Sequence, residues 1–485
     1  MAPKLNHWID GRSAVPSNNS YREGVNPATG GGGVEVAQGN VDDVKAAVAS
    51  AENAARSWRR FPSAQRGRLL GNLARTMRER SQELAELEIQ DTGKPLAVAL
   101  SEVENSAAYF EFYAGLVNFP VGDTLDVEPD QHIYTRREPF GVIGVITPWN
   151  VPLNQAARAC APALAAGNVV VVKPAEASSQ TTVALAQMAT EVGFPNGTFN
   201  VVLGKGSEVG TDLVRHPSVR KVAFTGSVAV GQTIGHLAAD RVIPLTLELG
   251  GKSANIVFED ADLDFAAKEA VRAFTTNAGQ ICSAGTRLLV QRSIHDKFVR
   301  AVSEVVSTLR PGQDLGPMIT RDQYQQVQKY FDVAKEEGLQ TEVGGDLPAD
   351  EKLQGGFYVN PTVYSNVDNS ARLAQEEVFG PVLVAIPFDT EEDAIRIANS
   401  SDYGLVAAVW TKDISRAFRV TEEIEAGQVF INTWSTGAVQ TPFGGHKYSG
   451  YGREKGIEAL NHYSHLKCVV VSYADRQGHS AGLPD

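Results

Sequence analysis

The chain has 485 residues, more than one hydrophobic core usually supports, so we expect two or three domains. Its composition, 43% apolar and 21% charged residues, is that of an ordinary globular protein, and its net charge of −13 argues against nucleic acid as a partner. The three cysteines, Cys160, Cys282 and Cys468, follow no metal-ligand spacing, so we expect no disulfide, no bound metal and a reducing, cytoplasmic environment.

The first residues lack the pattern expected of an export signal. Asn6, His7 and Asp10 stand where a secretory signal would need an apolar run, and no stretch of about 18 apolar residues occurs. We therefore expect neither export nor a membrane span. Residues 1–40 are rich in Gly, Asn, Ser and Pro, which predicts irregular chain and short edge strands.

After residue 40, apolar residues recur at helical spacing. This pattern predicts helices over Val41–Trp58, Ser63–Gln90 and Ala97–Val117. Residues 121–138 combine alternating chain with Asp, Glu and Pro, which is typical of a protruding hairpin rather than of core.

Strand and helix patterns alternate from Gly141 to Phe224, which predicts a parallel sheet covered by helices, as in dinucleotide-binding domains. A second α/β region is predicted from about Gly250 to Ser449. The sequence therefore indicates the α/β class.

One cysteine has neighbours that would leave it reachable. Cys282 lies among small and polar residues, and Gly279 and Gly285 permit close backbone approach on both sides. A thiol needs help to ionise, because only the thiolate is nucleophilic. The competing interpretation is a buried packing residue, since free cysteine is among the most buried residue types.

Upstream, Glu248 is a single carboxylate in an apolar run before the glycine pair Gly250–Gly251. Burial would raise its pKa toward the range of a general base, whereas a glutamate considered alone is more often a salt-bridged structural residue. Considered together, Cys282 and Glu248 indicate a nucleophile and its base.

These two stretches resemble the signature regions of the aldehyde dehydrogenase superfamily, in the same order and at similar spacing. The resemblance extends from about Trp8 to Val471 and includes the further blocks Pro148–Asn150, Lys173–Glu176, Phe224–Ser227, Glu377–Pro381 and Pro442–Gly445. It implies a Rossmann-like NAD-binding domain (residues 1–120 and 141–249), a catalytic domain (250–449) and a small β oligomerisation arm and tail (121–140 and 466–485). By the same resemblance, the arm and tail pair with a neighbouring subunit in a homodimer or homotetramer.

The cofactor is expected to be NAD. Gly204–Gly210 has GxGxxxG spacing, which alone would indicate a tight turn, and Lys173 and Glu176 alone would be surface residues. The resemblance implies that these two contact the adenosine ribose, where a glutamate favours NAD over NADP. The cofactor residues it implies are Ile146, Thr147, Pro148, Trp149, Lys173, Glu176, Gly206, Gly210, Phe224, Gly226, Ser227, Leu249, Glu377 and Phe379.

The reaction implied is oxidation of an aldehyde through a thiohemiacetal and a thioester on Cys282. Asn150 would bind the oxyanion, Lys173 joins the catalytic set, and Glu248 would activate water. Relatives that transfer the acyl group to coenzyme A generally lack this glutamate, so it favours the hydrolytic, non-acylating branch. The open alternatives are a structural or binding relative and a thiol-dependent hydrolase or acyltransferase. Glu454 matches a proton-relay carboxylate, with a structural role as its alternative.

Substrate identity depends on less specific signals. The residues expected near the substrate are Asn154, Gln155, Arg158, Trp434 and Val439. In semialdehyde-oxidising relatives, an arginine at the position of Arg158 binds a distal carboxylate, often together with a second arginine. In this chain the position of the second arginine is occupied by Thr276. We therefore expect a semialdehyde or aromatic aldehyde with a distal polar group, the alternative being that Arg158 pairs with a structural carboxylate.

Overall fold

The computed structural model describes residues 3–119, 121–434 and 437–473, beginning with short strands and then helices. The predicted second helix is broken at Arg80, whose backbone (φ −106°, ψ 27°) leaves the helical region. These elements are β1 (Lys4–Leu5), β2 (His7–Ile9), β3 (Arg12–Ala14), β4 (Tyr21–Val25), β5 (Gly32–Ala37), α1 (Val41–Arg60), α2 (Ser63–Glu79), α3 (Ser81–Thr92) and α4 (Leu96–Ala114).

The first large sheet has a parallel centre, as the alternation of strands and helices predicted. After the hairpin strands β6 (Thr124–Leu125) and β7 (Gln131–Pro139), its elements are β8 (Val142–Ile146), α5 (Pro152–Ala165), β9 (Val169–Lys173), α6 (Gln180–Glu191), β10 (Phe199–Val201), α7 (Thr211–Arg215), β11 (Val219–Thr225), α8 (Val228–Ala239) and β12 (Leu245–Glu248). The strand order is β12-β11-β8-β9-β10, all parallel, with β2 and β3 added antiparallel beyond β10.

The second large sheet belongs to the following α/β region. Its elements are β13 (Ala254–Val257), α9 (Leu263–Thr275), β14 (Arg287–Gln291), α10 (His295–Ser307), α11 (Arg321–Glu336), β15 (Gln340–Val343), β16 (Thr362–Ser365), α12 (Arg372–Gln375), β17 (Val382–Phe388), α13 (Glu391–Asn399), β18 (Tyr403–Gly404), β19 (Val406–Trp410), α14 (Ile414–Glu423) and β20 (Gln428–Ile431). Neighbours run in the order β15-β16-β17-β14-β13-β19-β20, parallel except for β15. Ile256 and Val257 face opposite layers of core, as the period of two in a strand requires. The predicted α/β class is confirmed.

The final segment returns to both earlier parts of the chain. It contains β21 (His446–Lys447), β22 (Gly450–Tyr451), α15 (Glu458–His462) and β23 (Ser464–Ser472). β22 pairs antiparallel with β12, and β23 pairs with β7 over nine residues, from Ser464 opposite Pro139 to Ser472 opposite Gln131. Residues 474–485 of the expected tail lie outside the described part of the chain.

The parallel strands determine where the site forms. The strands β8, β9, β11 and β12 end at Ile146, Lys173, Thr225 and Glu248, and their carboxyl ends meet at one edge of the sheet. In open α/β sheets this edge is where ligands bind. Among the described residues, no helix combines the length and apolarity needed to cross a membrane.

Candidate active site

A cleft of about 290 Å³ opens between this sheet edge and the second α/β region. It brings together residues that are far apart in sequence, contributed by the loops after β8, β11 and β12 and by the segments around Cys282 and Glu377. The predicted site residues that line it are Pro148, Trp149, Asn150, Gln155, Gly226, Ser227, Leu249, Cys282, Glu377 and Phe379.

An unusual backbone precedes the cysteine. Asn277, Ala278 and Gly279 all have positive φ (51°, 52° and 73°), a conformation that non-glycine residues seldom adopt. Gly279 is needed there, because a Cβ would lie 2.2 Å from the carbonyl oxygen of Gly380. Such conformations persist only where surrounding contacts enforce them, and they often occur at functional sites.

Cys282 is half-buried in the cleft, and the pKa of its thiol is raised to about 11. Burial is the main cause, and the carboxylates of Glu377 and Glu248 add to it. The charge of Arg158 and the backbone N–H of Ser283 act in the opposite direction. The thiol therefore needs further positive potential to ionise near neutral pH.

Asn150 is held by the cysteine loop itself. Its Nδ2 donates to the backbone carbonyl of Gln280 at 2.8 Å, and the backbone carbonyl of Asn150 accepts from Asn277 Nδ2 at 3.0 Å. Gln280 is anchored in turn, because its Oε1 accepts from the backbone N–H of Ile319 at 2.9 Å. An amide nitrogen carries two hydrogens, so Asn150 retains one donor for a ligand.

Glu248 lies at the end of β12 and is 1% exposed. Neither carboxylate oxygen has a hydrogen-bond partner among the described residues. Burial, and next the charge of Glu454, raise its pKa well above the ordinary value, while Arg158, Arg453 and Lys455 oppose the shift. A desolvated carboxyl of this kind is a strong base once ionised.

Arg158 and Glu454 form a buried ion pair next to this carboxyl, 4% and 1% exposed. The Arg158 guanidinium also donates to Thr225 Oγ1 at 3.4 Å and lies 5.1 Å from the ring centroid of Phe443. This geometry agrees with the structural alternative for Arg158, because its charge already faces a carboxylate of the protein.

The predicted adenosine-side residues lie at the end of β9. Lys173 is buried, which lowers its pKa to about 8, with Glu176 acting against the shift. Glu176 contacts Arg22 of β4 at 3.5 Å. Gly206–Gly210 forms one π-helical turn, and a Cβ at Gly206 would lie 3.7 Å from Lys173 Nζ. Phe224 is buried, and Ser227 caps α8, where helix-terminal amides suit an anion.

Glu377 and Phe379 line the cleft, whereas Lys173 and Glu176 at the end of β9 do not. Glu377 accepts from the backbone N–H of Gly251 at 3.0 Å, and burial raises its pKa to about 7. Phe379, at φ 54°, makes an edge contact with the ring of Trp149 at 5.4 Å. Ile146 ends β8, and the buried Oγ1 of the next residue, Thr147, has no hydrogen-bond partner among the described residues. A hydroxyl left in this state at the strand end is available to a ligand, so these residues fit a dinucleotide.

The remaining substrate candidates, Trp434, Asn154 and Val439, have different surroundings. The Trp434 ring packs directly on the loop after Cys282, because a Cβ at Gly285 would lie 2.8 Å from it. Asn154 is half-buried on α5. Val439 packs instead against the core of the first α/β region, and its carbonyl accepts from Gly456 at 2.8 Å.

Sequence reasoning missed several contributors. Gln280, Arg22 and Lys455 carried no individual motif signal, although Lys455 directly follows the predicted Glu454. Lys252 was also missed; burial and then Arg287 lower its pKa to about 7, and it lies near Glu377. Only tertiary contacts identify these four.

Comparison with known proteins defines the class to which this fold and cleft belong. The model of the aldehyde dehydrogenase family matches residues 14–469, and the chain belongs to this family. The betaine aldehyde dehydrogenase of Bacillus subtilis (strain 168) is 40% identical over 471 residues, which cover 95% of this chain and 96% of that protein.

Solved structures give the same result. A structure of the betaine aldehyde dehydrogenase of Staphylococcus aureus in complex with NAD⁺ has a TM-score of 0.96 and 39% identity, covering 99% of this chain and 97% of that one. A second structure of that protein with NAD⁺ has a TM-score of 0.95 and 39% identity, covering 97% and 95%.

Proposed function

We propose that this chain oxidises an aldehyde to a carboxylic acid with NAD, through covalent intermediates on Cys282. The observation that carries the proposal is the single cleft that joins Cys282, Asn150 and Glu377, with Glu248 buried behind it. NAD⁺ in structures of relatives that cover almost the whole chain supports the choice of cofactor.

In this mechanism the Cys282 thiolate attacks the aldehyde carbon. The oxyanion is stabilised by the second Nδ2 hydrogen of Asn150 and the backbone N–H of Cys282, fixed donors that contribute about 3 kcal/mol each. Bound NAD supplies the hydride acceptor. Glu248 then takes a proton from water, which hydrolyses the thioester. Glu454 would pass that proton on, although its pairing with Arg158 equally supports a structural role.

The experiment is to follow the absorbance of reduced nicotinamide with a simple aldehyde and NAD at about neutral pH. The two other classes, a non-catalytic relative and a thiol hydrolase or acyltransferase, predict no such signal. Cys282→Ser serves as the control, because serine is close to cysteine in size but replaces the thiol.

For cofactor choice we propose a preference for NAD over NADP, since Glu176 would repel a 2′-phosphate. Glu176→Ser should narrow the ratio of kcat/KM values for the two cofactors. Equal efficiency with both cofactors in the unmodified enzyme would contradict this role. Arg22, which contacts Glu176, would then be the cation that accommodates the phosphate.

For the substrate we propose an aldehyde with a distal polar group, a semialdehyde or an aromatic aldehyde. The polar side chains Asn154, Gln155 and Arg158 on α5 support it. In a clamp, Arg158 would have to exchange Glu454 for the substrate carboxylate. Arg158→Ala should therefore lower kcat/KM more for a semialdehyde than for an alkanal of equal length, and equal losses would assign Arg158 to structure.

A second candidate is betaine aldehyde, favoured by the names of relatives with about 40% identity. Recognition of a quaternary ammonium group usually uses faces of aromatic rings. Phe443 is already contacted by the cations of Arg158 and Lys455, each at 5.1 Å. Comparing kcat/KM for betaine aldehyde with that for a semialdehyde and benzaldehyde distinguishes the candidates.

We also propose that β7 and β23 assemble the chain into a homodimer or homotetramer. The apolar, solvent-exposed Leu466 and Val470 on the edge strand β23 support this.

For the location we propose the reducing cytoplasm. The three unpaired thiols of Cys160, Cys282 and Cys468 support it.

A further inference from the structure

Lys94 is a buried cation that contacts the backbone of Asn150. It lies in the turn between α3 and α4 and is 2% exposed. Its ammonium donates to Glu102 Oε2 at 2.6 Å, to Glu88 Oε1 at 3.1 Å and to the backbone carbonyl of Asn150 at 3.4 Å. An ammonium has three hydrogens, so these three acceptors use its full donor capacity.

The two carboxylates keep Lys94 in its charged form. Burial alone would lower the pKa of this lysine, but the charges of Glu102 and Glu88 outweigh burial and raise the pKa above its ordinary value. Burial also raises the pKa of Glu102 to about 8, although Lys94 opposes that shift. A charged donor makes a stronger hydrogen bond than a neutral one, so the ammonium attracts the Asn150 carbonyl even at 3.4 Å.

The backbone carbonyl of Asn150 is held from two sides. It accepts from Lys94 and, at 3.0 Å, from Asn277 Nδ2 of the cysteine loop. A carbonyl oxygen has two lone pairs, so these two donors occupy both. The side chain of Asn150 meanwhile donates to the backbone carbonyl of Gln280. The backbone and the side-chain amide of Asn150 are therefore fixed together, which gives the remaining Nδ2 hydrogen a defined direction.

The turn that carries Lys94 packs against the second α/β region. Gly93 has a φ of 68°, and a Cβ there would lie 2.6 Å from Pro317 Cγ. A Cβ at Gly316 would lie 3.1 Å from the Cα of Lys94. The backbone carbonyl of Pro317 accepts from Gln280 Nε2 at 3.2 Å. The segment Gly316–Pro317 thus contacts both the turn of the lysine and the cysteine loop.

We propose that Lys94 is a positioning residue that aligns the side-chain amide of Asn150 with the oxygen of the aldehyde. It acts through the backbone of Asn150 and forms no bond with the substrate. The inference rests on the proposed function, in which Asn150 is an oxyanion donor. Removing such a donor costs about a hundredfold or more in rate, and misaligning it should cost less.

The experiment is a double-mutant cycle in the full-length enzyme with NAD and a simple aldehyde. Lys94→Met should lower kcat/KM about tenfold when Asn150 is present, because the donor loses its alignment. In the Asn150→Ala background the same change should lower kcat/KM less than about twofold, since no donor remains to be aligned. Equal fold losses in the two backgrounds would overturn the proposal, because loss of folded protein alone produces that result.

Arg66→Met is the matched control. Arg66 is also a buried cation, 7% exposed, and it donates to the backbone carbonyls of Ala165, Phe61 and Val117. Its replacement should change kcat/KM by the same factor with and without the Asn150 side chain. A coupling to Asn150 as large as that of Lys94 would overturn the proposal, because any buried cation would then have this effect.

Hydrogen exchange separates this inference from the proposed reaction. It is measured without aldehyde or NAD, by mass spectrometry of the peptides that contain Asn150 and Cys282. Lys94→Met should speed exchange in these peptides more than Arg66→Met does. Exchange that is no faster would overturn the inference even in an active enzyme, whereas an unmodified protein that forms no reduced nicotinamide would overturn the proposed function.

A second variant keeps both measurements decisive. If Lys94→Met fails to fold, Lys94→Met combined with Glu88→Gln replaces it, because this pair also removes the buried carboxylate that Lys94 neutralises. The same differences between the Asn150 and Asn150→Ala backgrounds are expected. Their absence would overturn the proposal.

Discussion

Two buried glutamates at this site have different electrostatic environments. Glu454 is neutralised by Arg158, whereas the oxygens of Glu248 have no hydrogen-bond partner among the described residues. Leaving a buried carboxyl unpaired is costly to stability, and such groups are typical of catalytic bases. Glu454 is therefore held in an ion pair, whereas Glu248 is able to exchange protons.

The first prediction concerns Glu248→Gln. Acylation and hydride transfer should continue, but hydrolysis of the thioester should become slow, because glutamine cannot take a proton from water. We expect a burst of about one reduced nicotinamide per active site, followed by a slow steady state, in stopped-flow absorbance. A steady state at the full rate would remove Glu248 from the mechanism.

The second prediction concerns pH. Deacylation requires ionised Glu248, so its rate should rise with pH and reach half its maximum well above the ordinary pKa of a glutamate. Glu454→Gln removes a negative neighbour and should move this midpoint to lower pH by about one unit. Single-turnover hydrolysis of an acyl-enzyme formed from an activated ester measures it, and a shift to higher pH would contradict the assignment.

At the scale of elements, the cysteine loop depends on contacts with the second α/β region. The positive φ angles of Asn277, Ala278 and Gly279 coincide with close approach to Gly380, while Gln280 is anchored at Ile319. These contacts fix Cys282 with respect to Asn150, whose side chain donates to the same loop. The loop thus sets the positions of the proposed nucleophile and of the proposed oxyanion donor relative to each other.

The third prediction concerns Gly279→Ala. The new Cβ would meet a carbonyl oxygen at 2.2 Å in a backbone region that alanine avoids, so we expect a loss of roughly 1–3 kcal/mol in the free energy of unfolding. Gly235→Ala is the matched control, because its Cβ would meet nothing within 4 Å on helix α8. It should stabilise by roughly 0.5–1 kcal/mol in denaturant unfolding. Equal effects of the two substitutions would exclude the steric argument.

Many of the helices and strands could be predicted from the sequence, because the periodicity of apolar residues in each element follows from which of its faces is buried. The alternation after Gly141 predicted a parallel sheet, and the structure has one. The break at Arg80 was missed, since residues on both sides of it favour helix. The pairings of Arg158 with Glu454 and of Arg22 with Glu176 join distant segments, so no local pattern contains them.

At the scale of the whole molecule, the sheet of β6, β7 and β23 carries an exposed edge. Leu466 and Val470 are each 56% exposed on β23. An edge strand with exposed apolar side chains tends to pair with another chain. This feature underlies the proposed homo-oligomer.

The fourth prediction tests that assembly. Leu466→Lys combined with Val470→Lys should convert the oligomer to monomers in light scattering, because buried lysines at an interface would be unpaired. Ile414→Lys on α14 is the control, since Ile414 is also exposed (63%) but lies outside the β6, β7 and β23 sheet. An unchanged mass for the double variant would remove β23 from the interface.

The pairing of β22 with β12 has a consequence for synthesis of the protein. The strand that carries Glu248 acquires this neighbour only from Gly450 and Tyr451, far downstream in the chain. A nascent chain on the ribosome therefore exposes the edge of β12 until these two residues have been made. Such exposed edges are liable to mispair, which makes this stage of translation a point where chaperones would bind.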